Sequence, residues 1–415
     1  MAEKKTKLIE KKTKIDENCI FSKENINTSH QPEFDYLKML GVFSICVSHV
    51  YINFSEGCLR IIIDFLRFKL TAGALMLLMG IGMKYTRHHE PKNYICRGFI
   101  LLTMSQLVNF LRDCLPNLIA WWATGNKNFL AEALLILQVD ILSFAGIAFI
   151  FLGLMKLLKL SEIFIMIIGI LMNIIHFYSY KLIKSPNNYL LSQFLGYFII
   201  TDAETYFPLC SYFIFVGIGY WLGGIYQKIS NKNKFYNRVL LFCLPPATIY
   251  HYFRDTNRIP MLPDFGSIEY YFLNPGPDAV ICIMSNLSVL AISYKIDSLL
   301  KATPEVIAHA GKNMNQYYII SYIITMQMNT FFRATKGEEF PSEMKYPTLL
   351  GLMTLIFSRI LIDINDKYIH FTITTLKTPL RNYVFAFIWI LTILSVLYIY
   401  PKLDAYATIW NNYLK

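Results

Sequence analysis

Apolar runs of about twenty residues, the length that crosses a bilayer as a helix, recur along this chain and leave few other folds open to it. Each must satisfy its backbone hydrogen bonds internally when surrounded by lipid, which selects helices over loops and open sheets. Charged residues make up 16% of the 415, against about 25% in a soluble domain. The pattern predicts an all-α, polytopic integral membrane bundle of about 10–11 transmembrane helices. The expected spans are about 35–54, 70–85, 98–115, 136–156, 162–180, 207–226, 238–253, 277–294, 314–332, 346–365 and 382–400. Residues 1–33 read as a basic tail, 34–400 as the membrane domain and 401–415 as a short C-terminal tail.

The net charge of +11 raises the possibility of a nucleic-acid partner, but its distribution argues against one. Basic residues fall mainly in alternate loops, beginning with Lys4, Lys5, Lys7, Lys11, Lys12 and Lys14 and returning at Lys84, Arg87, Lys92 and Arg97. That alternation is the positive-inside pattern, and it predicts a cytoplasmic N-terminus in a multi-pass cell-membrane protein. The segment from Leu59 to Lys69, with Arg60, Asp64 and Arg67, reads as an amphipathic lead-in on the outer side. The eight cysteines show no metal-like spacing with histidine, so no metal is expected. Cys46, Cys243 and Cys282 read as buried thiols, and a Cys58–Cys114 disulfide is conceivable if both lie outside.

The first apolar helix carries the most unusual pattern. At about 100° per residue, Asp35, Lys38, Val42, Cys46, His49 and Asn53 share one sector, giving a greasy helix a polar stripe. Ionisable groups at membrane depth are expensive, so the stripe should face protein or water. His49 lies about 16 Å along the axis from Lys38. Such a histidine serves either as a general base or as a hydrogen-bond partner of a neighbouring helix.

Other polar groups carry similar alternatives. Asp140, expected within the fourth helix, could orient an imidazole or pair with an arginine. Arg359 and Asp363 at i and i+4 form a candidate structural ion pair. Asn315, Gln316, Gln327 and Asn329 could line a cavity or join helices. His176, Glu204 and His251 are expected near the outer face. The Gly219/Gly223 pair suggests a small-residue packing face, and Pro245-Pro246 a kink or break. Two longer outer loops, 181–206 with Asp202 and Glu204, and 254–276 with Arg254, Asp255, Arg258 and Asp264, are available to hold a ligand.

The stretch FDYLKMLGVFSICVSH, residues 34–49, resembles the opening helix of the transmembrane acyltransferase superfamily, which includes the acyltransferase-3 and heparan-alpha-glucosaminide N-acetyltransferase-like proteins. Asp35, Lys38 and His49 match its D-x-L-R-G…H pattern, with Lys in place of Arg. LTAGALMLLMGIG (70–82), LQVDILSFAGIAFI (137–150), YFPLCSYFIFVGIGYWLGG (206–224) and AGKNMNQYYIISYII (310–324) are similar to further motifs in the same order. Ser321 stands where the last motif usually has His.

The resemblance implies acyl transfer, usually of acetyl, from cytoplasmic acyl-CoA to a hydroxyl or amine of a sugar, lipid-linked glycan or envelope polymer. It implies His49 as the catalytic residue; the residues themselves then offer Asp140 as its orienting partner, and Lys38 and Arg97 as contacts of the acyl-CoA phosphates. Asp202, Glu204 and Asn315 become candidate acceptor contacts. A transporter or flippase of an envelope precursor, or an inactive member acting as a membrane interaction protein, are the alternatives.

Overall fold

A computed structural model describes residues 19–53, 72–182, 188–199, 205–255, 274, 276–337, 347–370 and 378–402. Residues 1–18, the lead-in around Arg60, Asp64 and Arg67, Cys58, and the tail beyond 402 lie outside the described residues.

Among the described residues there are eleven long helices, one for each expected span. They are α1 (Pro32–Asn53), α2 (Ala72–Tyr85), α3 (Pro91–Thr124), α4 (Ile141–Leu157), α5 (Glu162–Ser179) and α6 (Leu209–Gln227), followed by α7 (Lys232–Asp255), α8 (Gly276–Leu300), α9 (Met314–Lys336), α10 (Pro347–Ile364) and α11 (Thr378–Ile399). Short helices at Lys127–Glu132, Tyr189–Gly196 and Glu305–Lys312 sit between them. Among the described residues six segments are long and apolar enough to cross a membrane, those of α3, α5, α6, α8, α10 and α11, and α2 and α4 are shorter apolar helices. The chain is a multi-pass membrane protein.

Helix α1 is central. It packs against α2, α8, α9, α10 and the short helix Glu305–Lys312. Its stripe is turned inward as expected: Asp35, Val42 and Cys46 are all buried. A small core of Val42, Cys46, Ala310, Tyr317 and Ile362 closes over one side of it.

The second organising contact is α6 between α2 and α5. A Cβ at Gly219 would meet the Leu77 carbonyl oxygen and lie 3.2 Å from the Gly80 Cα. At Gly223 it would lie 2.7 Å from the Lys84 Cβ. The small-residue face therefore lets the α6 and α2 backbones touch, the arrangement that drives helix association where lipid removes the hydrophobic incentive.

Four expectations change. α3 continues through Leu115–Thr124, beyond the 115 expected, and carries Trp121 and Trp122 on its last turns. α4 begins at Ile141, later than the 136 expected, because Asp140 caps it. α7 runs on through Pro245 and Pro246 without interruption. Residues 19–31, expected in the tail, dock on the α6–α7 corner, where Ser22 N–H donates to Lys228 O at 2.7 Å and Ser230 N–H to Ile20 O at 2.8 Å.

Arg359 Nε lies 3.6 Å from Asp363 Oδ2, as the i, i+4 spacing suggests. Asp363 is shared with His309 Nε2 at 3.0 Å. Cys114 is a buried free thiol, as are Cys46 and Cys282. His176 is buried on α5 instead of near solvent, and His251 bonds Ser285 Oγ at 3.1 Å.

Replacing Gly219 by Leu is expected to lower the thermal midpoint in detergent, by the equivalent of about 1–3 kcal/mol or more, because backbone must move to admit it. Gly82→Ala, where a Cβ meets nothing within 4 Å, is the control and should be neutral or mildly stabilising.

Candidate functional site

The site is built in three tiers along α1, α3, α4 and α9. The first is a cavity of about 500 Å³. The polar part of its lining is Lys38, Thr86, His88, Asn93 and Arg97, of which His88 and Arg97 are exposed and mark its mouth, and the apolar part includes Leu78, Met79, Leu101, Ala145 and Phe149. Asn315 also lines it. Three residues singled out from sequence, Lys38, Arg97 and Asn315, thus line one cavity.

Lys38 Nζ is held 3.2 Å from Asp35 Oδ1, and Asp35 Oδ2 also meets His30 Nε2 at 2.8 Å. The exposed Arg97 has its guanidinium 5.1 Å from the Phe149 ring centre. Beside the rim, His89 is held below the usual imidazole range, first by partial burial and then by the cations Lys156 and Lys84 and by His88. It is therefore neutral at pH 7, and the fixed positive charge of the mouth comes from Lys38 and Arg97. A cationic mouth on a mostly apolar shaft suits an anionic head with an uncharged arm.

The second tier is a hydrophobic wall. Ile45, Leu75, Val108, Leu142 and Tyr318 form one buried cluster, and Ile45, Leu75, Leu142 and Tyr318 also line the cavity.

The third tier is polar and almost dry. Residues Phe110–Cys114 form a π turn within α3, and it carries Arg112 and Asp113, at 0% and 1% exposure. Arg112 Nε donates to Asp113 Oδ2 at 2.6 Å and Nη1 to Asp140 Oδ2 at 3.0 Å, while Nη2 bonds Gln138 Oε1. A buried cation is tolerable only with such complete pairing.

Asp140 is the hub. Its Oδ1 accepts the N–H groups of Leu142 at 3.0 Å and Ser143 at 3.2 Å, capping α4, and the Ser105 hydroxyl at 3.3 Å. Its Oδ2 accepts from Tyr318 at 3.0 Å in addition to Arg112. Of the two roles the sequence offers Asp140, pairing with an arginine is met by Arg112, and no direct bond to His49 is formed. The structure makes Asp140 the helix cap, and its connection to His49 runs through tyrosine.

His49 stacks on Tyr322 with ring centres 3.8 Å apart and planes at 23°. The Arg112 guanidinium lies 4.2 Å from the same ring centre. An imidazole stacked at 3.8 Å fills one face, so the guanidinium takes the other. Tyr318 meets His49 edge-on at 6.3 Å. Tyr318 therefore touches all three tiers: it lines the cavity, belongs to the wall and donates to Asp140.

Asp202 and Glu204 lie outside the described residues. Of the polar residues of α9, Asn315 lines the cavity, whereas Gln327 Nε2 joins helices by donating to Leu111 O at 3.0 Å. Ser321 is buried and bonds Tyr318 O at 3.3 Å. Among the described residues no group of three or more His, Cys, Asp or Glu could hold a metal.

Arg112, Asp113, Tyr318 and Tyr322 were not singled out from sequence. The available signal was the Arg-Asp pair inside an apolar run, since an ionisable residue at membrane depth marks a functional or pairing site by default. Scans against family models, curated proteins and solved structures each return no match to this chain.

Arg112→Met should leave two buried carboxylates unanswered and cost roughly 3–5 kcal/mol. Thermal unfolding in detergent is the check. Adding Asp140→Asn to Arg112→Met should recover part of the loss, a coupling that a double-mutant cycle measures.

Proposed function

We propose that this chain is a membrane acyltransferase. It moves an acyl group, acetyl as the expected case, from acyl-CoA to a hydroxyl or amine of a sugar, lipid-linked glycan or cell-envelope polymer. The reading takes its chemistry from the resemblance of helix α1. The observation that carries it is the cavity, whose lining includes Lys38 and Arg97 together with Tyr318, the edge-on neighbour of His49.

In this reading the CoA phosphates sit at Lys38 and Arg97. Arginine can grip a phosphate with two parallel bonds, whereas Lys38 acts as a point charge already shared with Asp35. The pantetheine arm lies in the apolar shaft. His49 takes the proton from the acceptor hydroxyl or amine as its oxygen or nitrogen attacks the thioester carbonyl carbon. The carbon–sulfur bond then breaks, and the imidazolium returns the proton to the departing thiolate. Tyr322 fixes the imidazole plane by stacking. Asp140 acts through Tyr318 as a positioning residue.

The cytoplasmic N-terminus predicted from charge puts the mouth on the side where acyl-CoA is made. The acceptor then approaches from the opposite side, where the 181–206 and 254–276 loops, with Asp202 and Glu204, are the proposed contacts.

Purified protein in detergent with acetyl-CoA and a panel of sugar acceptors tests the reading. His49→Ala should lose at least about 100-fold in turnover, the usual contribution of a general base. Retention of full activity in His49→Ala defeats the mechanism. Lys38→Met and Arg97→Met should raise the KM for acyl-CoA while leaving turnover at saturation largely unchanged.

A further inference from the structure

The hydrophobic wall lines the cavity on the side where Tyr318 meets His49 edge-on, and α1 carries residues of all three tiers. Ile45 lies seven residues beyond Lys38 and four before His49. At about 100° and 1.5 Å per residue it is within about 40° of both around the helix, about 10 Å beyond Lys38 and about 6 Å short of His49. Of the two α1 residues that line the cavity, Lys38 and Ile45, Ile45 is therefore the one nearer the imidazole.

Ile45 does not stand alone. Leu75 from α2, Leu142 from α4 and Tyr318 from α9 complete the end of the cavity, all at 6–7% exposure. Val108, at 1% exposure, backs them. Two of these side chains are held by polar structure. Tyr318 is tied by its hydroxyl to Asp140, and Leu142 sits on the first turn of α4, whose amide Asp140 caps. The end wall is thus anchored to the buried Arg112 network instead of being a loose plug.

We infer that Ile45 and Leu142 set the length of the acyl group this protein accepts, restricting the donor to short-chain thioesters. The inference rests on the acyltransferase reading. A linear acyl chain bound with its CoA head at Lys38 and Arg97 ends against this wall. Extra methylenes find no apolar space beyond it: the next tier holds Arg112, Asp113 and Asp140, which are fully engaged with one another.

The test uses the full chain, purified in detergent, and titrates CoA, acetyl-CoA, butanoyl-CoA and hexanoyl-CoA by calorimetry. The wild type should bind acetyl-CoA at least as tightly as the longer thioesters. Ile45→Ala and Leu142→Ala should each reverse that order. Each added methylene that the opened wall accommodates is expected to tighten binding about fourfold, from about 0.8 kcal/mol per buried CH₂. Two variants on different helices are used so that a failure of one to fold leaves the other to answer.

An unchanged chain-length order in a folded variant, with CoA still binding, overturns this inference alone. Wild-type preference for hexanoyl-CoA does the same. Absence of binding by every CoA species overturns the donor-cavity reading and this inference with it.

Discussion

A guanidinium with no exposed surface must have its charge answered inside the bundle, and the arrangement around Arg112 follows from that requirement. Answering it takes Asp113 from the same turn, Asp140 and Gln138 from the segment before α4, and the face of Tyr322 from α9. Those demands fix three elements relative to one another. They also fix Tyr318, whose hydroxyl bonds Asp140, and through the two tyrosines they fix the ring environment of His49. Because removal of any one charge strands the others at low dielectric, the network holds its geometry more firmly than apolar packing alone.

This rigidity separates the molecule into a soft and a stiff region. The cavity shaft is lined by methionines and leucines that adapt to an occupant, including Met76, Met79, Met83 and Met314. The polar tier beyond the wall is fully bonded and leaves little room for rearrangement. Binding energy gathered along the adaptable shaft can then be used to press a reacting group against a fixed target, the arrangement that converts binding into positioning.

Much of this was readable from sequence, and the reasons differ by residue. The eleven helices follow from apolar length, because lipid offers no alternative to internal hydrogen bonding. The inward stripe of α1 follows from the cost of leaving Lys38 and His49 in lipid. Lys38 and Arg97 are expected together from the chemistry of the donor, whereas Asn315, expected at the acceptor, lines the same cavity because of how α1, α3 and α9 cross. The start of α4 differs from expectation for a local reason. A carboxylate preceding Ile141-Leu142 is a strong cap for a helix start, yet the unbroken apolar run from Ala133 to Leu137 made the helix look longer than it is. Tyr318 and Tyr322 escaped notice because tyrosine is common in this chain, and nothing in spacing marks the two that carry the site.

The π turn at 110–114 also explains why periodicity read along α3 is a poor guide. A π turn accommodates one residue more than an α turn, so the wheel is offset by about 100° on its two sides. Below it, Gly98 and Leu102 meet Gly146 on α4. Above it, the helix addresses α9 and the short helix Lys127–Glu132. α3 therefore reads as two segments, Pro91–Asn109 and Leu115–Thr124, joined at the turn that carries Arg112, each with its own seam. A residue pattern that suits one seam is out of phase with the other, so the two must be matched to their neighbours separately.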